Sequence, residues 1–356
     1  MTYTFNRVLI AGETAPALNT RNIATLIDAE FGGDVHAHDI DLSKERAEET
    51  LRNAGLNVIN AESVADIDMW GPEGEDTWLV ADHASPEVNP VNDIPQSETP
   101  SGSEIGGAGT LLALAGLDPK RAYASAKDLV NDIVAKYGSW SAIAPGEEVW
   151  FQNRDLLHHV RSLALQNVGN RRLRVASATE RPLLGLDSTL AMGENGQPVN
   201  VIEPQTIGQL TKFYTVYTQI GEAEKLSQSV NSYARQIGSG GGLGIGALAL
   251  GLRGTLSQLS DALIQATDLK NEMASSDLLI EIIPELHPQT VVDSPLQKLG
   301  ELAAEFSIPV IVFTHESSLS NHELAEWGIH AAYVVEDADA LVKVKRVLKG
   351  TWIRRA

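Results

Sequence analysis

With 356 residues, 43% of them hydrophobic and 21% charged, the chain is long enough for two ordinary globular domains and too apolar for a disordered one. It contains no cysteine, which excludes disulfides, thiolate metal sites and cysteine nucleophiles. Its formal charge of −20 opposes nucleic acid and anionic membrane surfaces as partners, and no apolar run reaches the ~18 residues that a membrane-spanning helix needs. The opening MTYTFNRVLIAG reads as a first strand at Arg7 to Ala11 and not as a secretory signal, so a cytoplasmic location is expected. Thr20 to Phe31 follows with Ile23, Leu26, Ile27 and Phe31 at helical spacing. Val35 to Ile40 reads as a second strand. His36 and His38 share one of its faces and Asp39 and Asp41 the other, so these residues do not converge as a metal set.

Asn53 to Pro119 holds twelve acids and neither Lys nor Arg. Such a field repels phosphates unless divalent cations intervene, and it reads more readily as a solvated acidic surface. Leu79 to Ala84 is strand-like, and Ser85 to Gly109 is a long loop ending in GGAG before a helical run from Thr110 to Leu117. Ala124 to Tyr137 is an amphipathic helix, His158 and His159 fall in another, and Leu173 to Ala178 is a strand. Pro204 to Tyr233 is the longest helical stretch. Given the acidic charge, its Tyr214 and Tyr217 read as core residues and not as a base-stacking platform.

Gly238 to Gly254, GSGGGLGIGALALGLRG, has six glycines in its first nine residues and then turns apolar. It reads as a loop feeding a helix, expected to continue as helix from Thr255 to Thr267. Glycines let a ligand approach the main chain, and the free N–H groups of a helix start suit an anion. Equally, the glycines permit close helix packing. No Lys-Ser or Lys-Thr follows them, so this is not a Walker A loop. Downstream, Asp277 to Ile283, Val310 to Thr314 and Ala331 to Val335 read as strands. The helices between and after them are Leu296 to Phe306, Glu323 to Gly328 and Ala338 to Leu348. Strands alternating with helices argue for an α/β fold with parallel sheets.

Taken in order, these stretches resemble the type I glycerate kinase family. GGGLGIGALALGLRGTL resembles its GGLG loop and helix, and SSDLLIEIIPELHPQT has the frame of its A-D-L-V-I-T-G-E-G-R-L-D-x-Q-T segment. VASATERPLLG, SEIGGAGTLLALAG and VLIAGETAPALNT stand where V-A-C-D-V-D-N-P-L-x-G, N-D-G-G-A-G-M-L-x-A-L-G and V-I-A-P-D-S-F-K-G-S-L-S are expected. The resemblance implies two α/β domains with parallel-rich sheets. Residues 1–65 plus 270–356 would form a Rossmann/flavodoxin-like domain, and 66–269 an inserted domain carrying the glycine-rich loop, with ATP and Mg²⁺ meeting glycerate in a cleft.

By the same resemblance, Gly241, Gly242, Gly244, Ser101, Ser103, Gly106 and Gly107 would cradle the cofactor. Glu13, Thr14 and Glu180 would be the catalytic candidates of an active enzyme. The departures fall on charge. The family's first-loop Asp and Lys are Glu13 and Pro16 here, and its D-x-D-N set reads Ala178, Glu180 and Arg181. T-G-E-G-R-L-D becomes Glu281, Ile282, Ile283, Pro284, Glu285, Leu286 and His287. Phosphoryl transfer needs positive groups or Mg²⁺ on the phosphates and a carboxylate for the metal or proton. The expectation is therefore a degenerate kinase that binds a small-molecule ligand or a protein partner and holds no metal of its own. An active ATP-dependent glycerate kinase is the alternative, with Glu285 and His287 as one pair that could rebuild acid/base chemistry.

Overall fold

The computed structural model describes residues 7–12, 18–32, 34–40, 42–60, 63–81, 107–118, 121, 123, 125–138, 148–192, 204–224, 233–288, 291, 294–336 and 339–352. In chain order the elements are β1 (Arg7–Gly12), α1 (Thr20–Phe31), β2 (Asp34–Asp39), α2 (Lys44–Asn53), β3 (Val58–Ile59), β4 (Asp76–Ala81), α3 (Ala108–Leu114), α4 (Ala126–Tyr137), α5 (Arg154–Val168) and β5 (Arg172–Ser177). They continue as α6 (Pro204–Glu224), α7 (Gly241–Gly251), β6 (Thr255–Gln258), α8 (Leu259–Ala266), α9 (Leu269–Ala274), β7 (Leu278–Ile282) and β8 (Glu285–Leu286). The last are α10 (Leu296–Glu305), β9 (Val310–Thr314), β10 (Glu316–Ser317), α11 (Asn321–Glu326), β11 (Ala331–Val334) and α12 (Ala340–Val347). The fold is mixed α/β with parallel sheets. The chain divides into two compact units, Met1–Thr50 with Ser260–Ala356, and Leu51–Leu259.

In the first unit a five-stranded parallel sheet runs β11-β9-β7-β1-β2. The N-terminal strand thus pairs with β7, which comes from the far end of the chain. Strands β7 and β9 are buried at every position, as expected of parallel strands covered on both faces. On one face Ile10, Ile280, Ile282, Ile311 and Phe313 pack with Ile23 and Ile27 of α1 and Val344 of α12. Asn19 caps α1 by accepting from the Asn22 amide at 2.7 Å. Ile283, Leu286, Leu296 and Val312 form a second cluster with Leu324 and Ile329.

The second unit has a four-stranded parallel sheet in the order β3-β4-β5-β6 and one large core that takes in residues from α3 to α7. Tyr214 and Tyr217 are fully buried in that core. The acidic stretch is partly neutralised here: Asp76 pairs with Arg172 at 2.9 Å and with Arg174 at 2.5 Å. One expectation fails. Thr255 to Gln258 is not helix but an edge strand, paired from Arg174 to Ser177. The helix before it is ended by Arg253 at φ 62° and by Gly254, whose N–H turns back to the Ala249 carbonyl at 2.8 Å. The chain therefore leaves α7 extended, and pairing with β5 overrides the helical spacing of TLSQLSDALIQA.

One glycine fixes how β1 ends. Gly12 has φ 128°, and a Cβ there would lie 2.2 Å from the Ile282 carbonyl oxygen. Gly12→Ala is expected to lower stability by about 2–4 kcal/mol, combining backbone strain with the displaced β1–β7 ladder. Gly55→Ala, at φ 84° with open space around it, should cost only about 1 kcal/mol. Urea unfolding of the two variants against the parent measures the contrast.

Candidate functional site

The glycine stretch lies in the second unit beside the C-terminal ends of β4, β5 and β6, the end of a parallel sheet where ligands usually sit. It opens α7 through a left-handed turn: Gly242 (φ 57°), Leu243 (φ 51°) and Gly244 (φ 102°). A leucine at positive φ is uncommon and must be held by its surroundings. Those surroundings are specific. Gly238 N–H donates to the Glu180 carbonyl at 2.9 Å and Gly240 N–H to the Arg181 carbonyl at 3.1 Å. Ser239 Oγ accepts from the Leu183 amide at 3.1 Å. Tyr214 on α6 donates its hydroxyl to the Gly244 carbonyl at 2.7 Å, and Tyr217 donates to the Leu248 carbonyl at 3.0 Å.

The side-chain positions of these glycines are filled from within the protein. A Cβ at Gly244 would lie 2.6 Å from the Tyr214 hydroxyl oxygen, at Gly241 2.3 Å from Ser177 Oγ, and at Gly240 2.4 Å from Thr189 Oγ1. Gly107 starts α3 at φ 81°, and a Cβ there would lie 2.3 Å from the same Tyr214 oxygen. Tyr214 thus joins two glycine turns that are far apart in sequence. Burial, with Tyr217 alongside, pushes its phenol well above the ordinary tyrosine range. These contacts are the ones that the close-packing reading of the glycines calls for. Neither helical spacing nor composition distinguished Tyr214 from any other core aromatic.

The expected site residues distribute as follows. Gly241, Gly242, Gly244 and Gly107 belong to this pair of turns. Glu180 lies half-buried beside them, with Gln258 of β6 donating an amide N–H to its carboxylate. Glu13, Thr14, Ser101, Ser103 and Gly106 lie outside the described residues. Gln258, reached only once β6 is seen as a strand, was missed by sequence reasoning.

In the first unit, the end of β7 stands where the resemblance places a charge-bearing loop. Ile282 and Ile283 are buried there, in two different apolar clusters. Glu281 is completely buried between its register partners Ala11 and Val312, and neither carboxylate oxygen has a hydrogen-bond partner among the described residues. Burial alone pushes its carboxyl well above the ordinary range, so the neutral acid is favoured. His287 Nδ1 lies 2.5 Å from Ser318 Oγ and its Nε2 3.8 Å from Glu316. His36 and His38 do share a face, and both reach Glu272 of α9, at 3.3 Å and 2.6 Å. Among the described residues no group of three or more His, Cys, Asp or Glu is arranged to hold a metal ion.

A model of the glycerate kinase family matches residues 141–351, well over half of the chain. The chain belongs to the glycerate kinase family. Among solved structures it is similar to a "putative glycerate kinase 2 from Salmonella typhimurium LT2". That likeness has a TM-score of 0.50 and 15% identity over 95% of this chain and 94% of the other, and it speaks for the fold. No curated protein matches significantly. No described helix is long and apolar enough to cross a membrane.

Magnesium-bound ATP needs donors on its phosphates and oxygen ligands on the cation. Among the described residues, the glycine turn packs against Tyr214, Ser177 and Thr189, and β7 carries one carboxyl, Glu281, which burial pushes above the ordinary range.

Two outcomes test the site's geometry. Because burial raises Glu281 in the folded state, stability falls as pH rises from the unfolded carboxylate value, about 4.3, through the raised folded value. Glu281→Gln should flatten that fall and melt a few degrees higher than the parent at pH 8, with the gap closing towards pH 4, as followed by thermal unfolding across pH. For Tyr214, Gly107→Ala should be less harmful in a Tyr214→Phe background than in the parent. A double-mutant cycle in urea should show a coupling of about 1 kcal/mol, because the hydroxyl that the new methyl meets is gone.

Proposed function

We propose that this member of the glycerate kinase family is a scaffold without efficient phosphoryl transfer, acting as a module that binds a small ligand or a protein partner. The observation that carries the reading is the end of β7. Ile282 and Ile283 are packed into apolar clusters, followed by Pro284, where the family resemblance calls for T-G-E-G-R-L-D. Charge that would be spread over transferring phosphoryl oxygens finds no compensating group on such a segment. The buried Glu281 supports the same reading, since burial pushes its carboxyl above the ordinary range and disfavours the charged form that holds a cation or takes a proton.

Membership of a kinase family favours the second reading, an active ATP-dependent kinase for glycerate. In it Glu180, held by Gln258 beside the glycine turn, would be the carboxylate at work together with Glu13 and Thr14. The two readings separate in a coupled ADP-release assay with Mg-ATP and D-glycerate, run alongside a thermal-shift titration with Mg-ATP, Mg-ADP and D-glycerate. The expected result is no turnover above the protein-free blank and no shift with nucleotide. Turnover at ordinary enzyme rates of about 1 s⁻¹ or more, lost in Glu180→Gln, would establish the active kinase instead.

A further inference from the structure

Strands β8 and β10 form a short parallel ribbon, with Glu285 opposite Glu316 and Leu286 opposite Ser317. It follows directly from β7 and β9, at the C-terminal end of the first unit's sheet, where parallel sheets present their chemistry. Leu286 is fully buried, so alternation along the strand turns Glu285 and His287 outward. Continuing the register sets His287 opposite Ser318, with Glu316 on the same outward side. Sequence alone could not bring these residues together, because His287 and Ser318 are separated by α10 and β9.

The side chains meet as the register requires. Ser318 Oγ is 2.5 Å from His287 Nδ1, and His287 Nε2 is 3.8 Å from Glu316 Oε1. The backbone beneath them is held in place. Ser318 N–H donates to the Leu286 carbonyl at 3.0 Å and His315 N–H to the Pro284 carbonyl at 3.0 Å. Thr314 Oγ1 reaches the carbonyls of Pro284 at 3.1 Å and Glu316 at 2.7 Å. Ser318 is exposed and the imidazole is 29% exposed, so a solute can reach the hydroxyl.

A serine hydroxyl is a weak nucleophile until a neighbouring base takes its proton, and a carboxylate on the far ring nitrogen stabilises the imidazolium that results. Hydroxyl, imidazole and carboxylate stand in that order here. We propose that Ser318, His287 and Glu316 form a nucleophilic relay that accepts an acyl group from a small activated ester. In the step, Ser318 Oγ forms a bond to the ester carbonyl carbon while its proton passes to His287 Nδ1. The bond from that carbon to the leaving aryloxide breaks, and the aryloxide departs with the proton carried by His287. Water then hydrolyses the acyl-serine by the reverse use of the same base. The amide of Ser318 is committed to Leu286 and gives no help to the developing oxyanion. The chemistry is thereby confined to esters with good leaving groups, such as aryl esters.

The test incubates the full chain with p-nitrophenyl acetate, follows p-nitrophenolate release, and locates the acetyl group by peptide mass mapping. Acetylation is expected on Ser318. It should be absent in Ser318→Ala, slowed at least ~100-fold in His287→Ala, and slowed about tenfold in Glu316→Gln at an unchanged melting temperature. Acetyl groups confined to lysines and the N-terminal amine would overturn the proposal. So would a Ser318 label that forms as fast in His287→Ala as in the parent. Neither result bears on phosphoryl transfer, so the proposal stands or falls apart from the reading of the family's lost kinase chemistry.

Discussion

The phenol of Tyr214 occupies the space that two glycines leave open, and the second unit is built around that seat. Gly107 and Gly244 come within contact distance of one hydroxyl only because neither has a Cβ, and the hydroxyl in turn donates to the Gly244 carbonyl. A buried hydrogen bond of this kind contributes a net ~1 kcal/mol, but leaving the carbonyl unpaired would cost more than that. The left-handed run Gly242-Leu243-Gly244 is unfavourable by itself. It persists because Tyr214, Ser239 and the Glu180–Arg181 backbone hold it from several sides. Phe213 fixes the ring further, meeting it edge-on with centroids 4.8 Å apart.

The first unit has a comparable constraint at the end of β1, where Gly12 lies against the backbone of Ile282. The segment after β7 is apolar as far as Pro284, and along it the first outward polar side chains are those of the ribbon of β8 and β10. On β7 itself Glu281 is a carboxyl left inside, with no hydrogen-bond partner among the described residues.

Most of the fold was legible in the sequence, because its strands are unbroken apolar runs and its helices carry clear periodicity. RVLIA, DLLIEII and VIVFT declared themselves as buried parallel strands, and the tyrosines of α6 declared themselves as core. Thr255 to Gln258 did not, since its spacing suits a helix and only the pairing with β5 decides otherwise. The glycine stretch was legible as a loop feeding a helix. Its packing against Tyr214 was not, because a glycine that admits a ligand and one that admits a tyrosine look identical in sequence. His36 and His38 were correctly placed on one face, but Glu272, which they share, comes from a distant helix and left no local signal. The same holds for Ser318 and His287.

These constraints bear on how a family resemblance can outlast a family's chemistry. Gly244 and Gly107 are required by Tyr214, and Gly12 by Ile282, whether or not a phosphate ever approaches them. Each is held by packing and backbone geometry, so replacing it costs stability directly. A charged residue that serves only a transferred phosphoryl group has no such second duty. On losing its substrate it is free to become Ile283 or Pro284, and the core gains apolar contacts by the exchange. A chain that had lost its phosphoryl substrate would, under those two pressures, give up its carboxylates sooner than its glycines.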